Sequence, residues 1–298
     1  MNRTLKLPAD VRALYPWEGR YLDLDAGRLH YLDVGPKDAP VLLCLHGNPT
    51  WSFYWREVVR AFSDRFRVIV PDHLGCGLSD KPQGWPYRLE GHVANVEALI
   101  DHLGIPSLTF VLHDWGGAIG MGVATRRPEI AERFVVTNTA AFLSKAIPPS
   151  IAMVKIPGLG AMSVRGFNGF ARVALVRAAS TRLKPAVKRG LLFPYGSWED
   201  RIAHLRFVED IPLSPGHPSW GTLASIDAGL SALADKPMLI LWGDDDFCFT
   251  PAFRAIWQQR FPRATVRAWE GVGHYVMEDA PDRVIAELNA FLPAGIQA

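Results

Sequence analysis

Cysteine is scarce in this chain of 298 residues, and the three present, Cys44, Cys76 and Cys248, are scattered and odd in number. They imply no disulfide framework, and no C-x-x-C or zinc-finger spacing is present. A reducing compartment suits such a chain. Long apolar runs are missing too. No 18-residue stretch is apolar throughout, and Met1–Pro8 lacks the apolar centre of a signal peptide. The expectation is a cytoplasmic protein without a transmembrane segment. No excess of one charge stands out: a net charge of +2 gives no general pull toward nucleic acid. There is no internal repeat, phosphate loop, dinucleotide fingerprint or metal-ligand cluster, so no metal or other cofactor is expected.

A hydrophobic content of 49% is ordinary for a soluble enzyme and supplies ample core for one large α/β domain or a domain with an insertion. Apolar strand-like runs occur at Val41–Leu45, Arg67–Val70, Leu108–Leu112, Phe134–Thr137 and Met238–Trp242. Between them lie amphipathic stretches such as Phe53–Phe62, His92–Leu103 and Pro251–Phe261. Strands alternating with helices imply a mostly parallel sheet covered on both faces. Ahead of them, Tyr21–Asp25 and Leu29–Asp33 flank Ala26-Gly27 as an antiparallel starting hairpin would.

The rhythm breaks once. From Ala141 to Pro215 there is no strand signal, only residues suited to helices and loops. The division expected is a core of residues 1–140 and 216–298 with a helical cap, 141–215, inserted after the sixth strand. Such a cap would close over the strand ends where α/β enzymes bind ligands. Between Leu143 and Trp198 it carries nine Lys and Arg and no acidic residue. A docking face for an acidic partner or a membrane would look like this. So would a solvated face on which basic stems cover apolar helices, and that is the simpler expectation.

The chemistry centres on Leu108–Gly120, where an apolar run ends in Asp114 and passes into Trp115-Gly116-Gly117. That is the layout of a nucleophile elbow, a sharp strand-to-helix turn that lifts one side chain above the sheet. A carboxylate in that place can attack an electrophilic carbon and form an ester on the enzyme. The plainer alternative is an Asp that only caps the helix.

Elbow chemistry also needs a histidine base, an acid to orient it and donors for developing negative charge, with nucleophile, acid and histidine in that chain order. His274 lies in the Gly-flanked loop Glu270–Tyr275, whereas His46 and His113 sit so near strand ends that packing or hydrogen bonding suits them better. The strand Met238–Trp242 opens into Gly243-Asp244-Asp245-Asp246. Asp246 matches the usual Gly-x-x-Asp turn, and Asp244 and Asp245 remain alternatives that solvate the loop. Asn138 stands where another solution would place the acid; it cannot ionise but can hydrogen-bond near His274. After Val41–Leu45 comes His46-Gly47-Asn48-Pro49, the loop that forms one side of an oxyanion hole. Asn48 offers a backbone N–H and a side-chain amide, and Trp115 an indole N–H that only donates. Both are expected to bind a departing anion, core filling being the alternative for Trp115.

The His46–Pro49 loop, the Asp114–Gly117 elbow, the Gly243–Asp246 turn and the Gly273-His274 loop together resemble the haloalkane dehalogenases of the α/β-hydrolase superfamily. The likeness spans nearly the whole chain, including Asp72–Asp80. Asn48 combined with an acid after the seventh strand resembles the third dehalogenase subfamily, which also holds the β-lactone decarboxylases of bacterial long-chain olefin biosynthesis. The segment Phe207–Trp220 looks most like those decarboxylases. The resemblance implies an α/β-hydrolase fold with eight strands, and an apolar small-molecule substrate bearing long alkyl chains. It implies either conversion of a cis-dialkyl β-lactone to a cis-alkene and carbon dioxide or hydrolysis of a haloalkane. It leaves open whether Asp114 attacks the carbonyl or the alkyl carbon of a lactone. Assembly with other olefin-pathway enzymes is a further implication. Epoxide hydrolases need two cap tyrosines, but the insertion holds only Tyr195. Fluoroacetate dehalogenases carry arginine where Trp115 stands, and serine esterases need serine at position 114. A non-catalytic protein on the same fold is the remaining alternative.

Overall fold

The computed structural model describes residues 6–156 and 158–294; the first five residues of the Met1–Pro8 stretch lie outside it. Eight strands form one sheet: β1 (Arg20–Leu24), β2 (Gly27–Val34), β3 (Val41–Leu45), β4 (Arg67–Pro71), β5 (Leu108–Asp114), β6 (Ala131–Thr139), β7 (Met238–Gly243) and β8 (Thr265–Trp269). Their order across the sheet is β1-β2-β4-β3-β5-β6-β7-β8. β1 and β2 form the starting hairpin, and β2 runs antiparallel to β4. From β4 to β8 every pairing is parallel.

Every residue of β3, β5 and β7 is buried. This follows from cover on both faces, because successive side chains of a strand point to opposite sides. In β3, Val41, Leu43 and Leu45 enter one core, while Leu42 and Cys44 enter the other. The first core also takes Val93, Val96 and Leu99 from helix Leu89–His102, and the second takes Val58, Val59 and Phe62 from helix Arg56–Phe62. The apolar runs are continuous for that reason.

The strand signals are found as expected, with ends displaced by a few residues. β8 alone sent no clear signal. It is an edge strand of which Thr265, Arg267 and Ala268 are exposed, so its composition carries little apolar pattern. Between β6 and β7 the chain forms helices Pro149–Val154, Gly169–Arg177, Pro185–Leu192 and Ile202–Glu209. Helix Trp220–Gly229 then packs against Trp115–Arg126 of the core layer. Among the described residues no helix is long and apolar enough to cross a membrane.

Candidate active site

β5 ends at Asp114, whose backbone takes φ 50° and ψ −126° before helix Trp115–Arg126 begins. A non-glycine residue held there costs on the order of 1–3 kcal/mol, which the surrounding packing must sustain. The turn is possible because its neighbours are bare. A Cβ on Gly116 would lie 2.2 Å from the Leu45 carbonyl oxygen, and one on Gly47 would lie 2.1 Å from the Asp114 carboxylate. The Asp114 carboxylate makes no capping hydrogen bond to the helix it precedes. That counts against a purely capping role.

The two oxygens of Asp114 have different surroundings. The backbone N–H of Asn48 donates to Oδ1 at 2.7 Å. Oδ2 lies 3.6 Å from His274 Nε2, close enough for attraction but too far for a hydrogen bond. His274 Nδ1 is 2.8 Å from Asp246 Oδ2. Carboxylates only accept, so the Nδ1 proton points to Asp246 and Nε2 is turned toward Asp114. Burial pushes the Asp114 pKa up, and His274 and the N–H groups of Asn48 and Trp115 only partly offset it. For His274, burial works against the charged form, but Asp246 and then Asp114 outweigh it and the pKa rises above its ordinary value.

Of the three aspartates, Asp246 is the one in contact with His274. Asp246 is buried and also accepts from Asn138 Nδ2 at 2.9 Å and from the Cys248 N–H at 2.6 Å. Asp244 instead pairs with Arg254. Asn138 thus holds the same carboxylate that holds His274, and it ties β6 to β7 through the Gly243 carbonyl at 2.9 Å. His46 and His113 pack and hydrogen-bond as expected. His113 donates from Nδ1 to the Thr137 carbonyl at 3.0 Å, and His46 Nε2 accepts from the His73 N–H at 3.1 Å.

Asn48, Asp114, Trp115 and His274 all line one cavity of about 550 Å³, within the usual range for a small-molecule site. The rest of its wall is nearly all apolar, with Phe142, Ile151, Leu159, Phe170, Val208 and Leu223 among its residues. The Asn48 side chain donates one N–H to the His204 carbonyl at 3.1 Å. The Trp115 ring packs on Phe207 with centroids 5.1 Å apart. Tyr195 does not line the cavity, and its hydroxyl is occupied by the Gly77 N–H and the Thr50 carbonyl.

Two supporting residues escaped the sequence reading. Phe249 stacks on the His274 ring at 5.8 Å, and Tyr54 stacks on His113, which in turn lies 4.6 Å from His274. Phe249 had a signal, since Phe247 and Phe249 directly follow the acidic turn. Tyr54 had none, because only folding brings it to β5. Among the described residues no group of His, Cys, Asp or Glu could hold a metal ion.

A family model described as the alpha/beta hydrolase fold matches residues 40–281. The chain is 41% identical to a cis-3-alkyl-4-alkyloxetan-2-one decarboxylase from Shewanella oneidensis, over 94% of this chain and 89% of that protein. It is 34% identical to haloalkane dehalogenase 2 of Mycobacterium bovis, over 92% of this chain and 95% of that protein. The crystal structure of a haloalkane dehalogenase from Bradyrhizobium elkani superposes with a TM-score of 0.81 at 26% identity, covering 92% of this chain and 99% of that one.

Proposed function

Because the chain belongs to the α/β-hydrolase family, in the branch that holds the haloalkane dehalogenases and the alkyl-oxetanone decarboxylases, we propose that it decarboxylates a cis-3,4-dialkyl β-lactone to a cis-alkene and carbon dioxide. One observation carries the reading. A carboxylate on a strained elbow, one oxygen held by an N–H and the other near an imidazole, opens into an apolar cavity. Residues 141–215 act as the cap over a core of 1–140 and 216–298.

In this reading Asp114 is the nucleophile. Its carboxylate attacks the tetrahedral, alkyl-bearing ring carbon next to the ring oxygen, forming one C–O bond as the bond from that carbon to the ring oxygen breaks and releasing ring strain. The charge now on the substrate carboxylate is met by Asn48 and Trp115. The C–C bond to that carboxylate then breaks as carbon dioxide leaves. Its electron pair forms the alkene, and the pair of the ester C–O bond returns to Asp114. Inversion at the attacked carbon followed by an anti elimination keeps the alkyl groups cis. No water and no net proton are consumed. With a haloalkane the first step is the same and halide leaves, but the ester lacks a group to lose, so water must cleave it. His274, oriented by Asp246, activates that water. Attack at tetrahedral carbon is thus common to both reactions.

An apolar wall suits long alkyl chains and the expulsion of a neutral gas. The reading places the protein in cytoplasmic formation of long-chain olefins, beside the enzymes that supply the lactone. The test gives purified protein a cis-dialkyl β-lactone and a long-chain bromoalkane side by side. Alkene with carbon dioxide supports the lactone reaction, and alcohol with bromide only would transfer the chain to the dehalogenases. Turnover of neither would overturn both.

A further inference from the structure

The large apolar side chains left in solvent fall almost entirely in one segment of the chain. Outside the segment between β6 and β7, Tyr21 alone among the described residues is a large hydrophobe this exposed. Within it Met153, Leu159, Met162, Phe167, Val173 and Val176 are, with Val176 72% and Phe167 70% exposed. On helix Gly169–Arg177, Arg172, Val173, Val176 and Arg177 share the outward face at the spacing of successive turns, opposite buried Ala171 and Ala174. Two valines flanked by two arginines make an amphipathic face turned outward. The solvated-face reading of the basic cap accounts for the arginines but not for the exposed Phe and Val between them.

The same surface carries unbalanced charge. No acidic residue occurs from Leu143 to Trp198. Among the described residues Lys145, Arg172 and Arg177 form no ion pair, whereas surface arginines of the core such as Arg126 and Arg127 are paired with carboxylates. The face also adjoins the cavity: Met153, Leu159 and Val173 are each more than half exposed and each line it. Lys145 lies between the lining residues Ser144 and Ala146.

We infer that this cap face docks on an anionic lipid bilayer, with the cavity mouth at the acyl boundary. Exposed apolar side chains interspersed with Lys and Arg are the composition of an interfacial element rather than a spanning one. Lipid fits better than an acidic protein because the exposed side chains are themselves cavity wall. A folded partner seated on them would stopper the mouth, whereas acyl chains are a fluid solvent into which an alkyl substrate or product can pass. The inference rests on the cap surface and not on the reaction assigned above.

The experiment is sedimentation of the full chain with vesicles of phosphatidylglycerol and phosphatidylethanolamine, and separately of phosphatidylcholine, at low and high salt. Binding is expected to the anionic vesicles, weakened by salt. Each cation near an anionic surface is worth on the order of fivefold in partitioning, so Lys145→Glu/Arg172→Glu is expected to lose at least ~25-fold. Phe167→Ser/Val176→Ser is expected to weaken binding at either salt concentration. All four positions are exposed, so these variants should fold as the parent does. A chain that stays in the supernatant with both vesicle types overturns the inference and returns the face to an acidic protein. So does binding that ignores salt and both double variants. Either outcome leaves the alkene assay untouched.

Discussion

His274 stands between two carboxylates, its Nδ1 2.8 Å from Asp246 Oδ2 and its Nε2 3.6 Å from Asp114 Oδ2. The short contact fixes the ring, and the long one leaves Nε2 directed at the place where an ester on Asp114 would form. Both carboxylates favour the imidazolium, and burial opposes it.

The pH dependence follows from these two groups. As the proposed nucleophile Asp114 must be ionised to attack, and burial raises its pKa above the ordinary 3.8. The rate on either substrate therefore falls, as pH is lowered, earlier than an ordinary carboxylate would dictate. Water activation needs neutral His274, whose pKa is raised above 6.5. Haloalkane hydrolysis should thus climb as pH rises through that raised value, while lactone decarboxylation, which consumes no water, should lack this upper limb. Profiles of kcat/KM on the two substrates check the difference. The same upper limb on alkene formation would show that the base takes part in it.

Trp115→Phe keeps an aromatic ring against Phe207 but removes the indole donor. If Trp115 binds the departing anion, the variant should lose on the order of 10²-fold in kcat. An unchanged rate returns Trp115 to core packing.

Asn138→Leu should leave the Gly243 carbonyl and one Asp246 oxygen short of a donor, both buried. A loss of ~1–3 kcal/mol is expected, read as a lower urea midpoint with an unchanged slope. A variant as stable as the parent would mean that water replaces the amide.

Gly116→Ala tests the elbow. The added methyl would meet the Leu45 carbonyl at 2.2 Å, a backbone atom that cannot rotate away. Overpacking of this kind costs ~1–3 kcal/mol, and it should also disturb the Asn48 N–H that holds Asp114. Thermal melting and turnover should both fall. Loss of neither would show that the helix shifts freely.

The sequence was most informative where one residue type has one job. Asp114 before two glycines, His274 between Gly273 and Tyr275, and Asp246 three residues past Gly243 could be picked out because strand ends and turns are marked locally. Asp246 over its two neighbours needed the fold, since three adjacent aspartates are separated only by what each touches, and Asp246 touches His274, Asn138 and the Cys248 N–H. β8 went unseen because an edge strand buries too little to show a pattern. The cap sequence showed its charge but not its exposed hydrophobes. Val173 and Val176 look like core residues until the helix is placed with that face outward.

The central claim is that Asp114 supplies the attacking oxygen. The most direct measurement is alkene release from a cis-dialkyl β-lactone by parent and Asp114→Ala, with folding checked by thermal melting. A well-folded variant slower by at least ~10⁴-fold is the predicted result. A rate near the parent's would contradict the account.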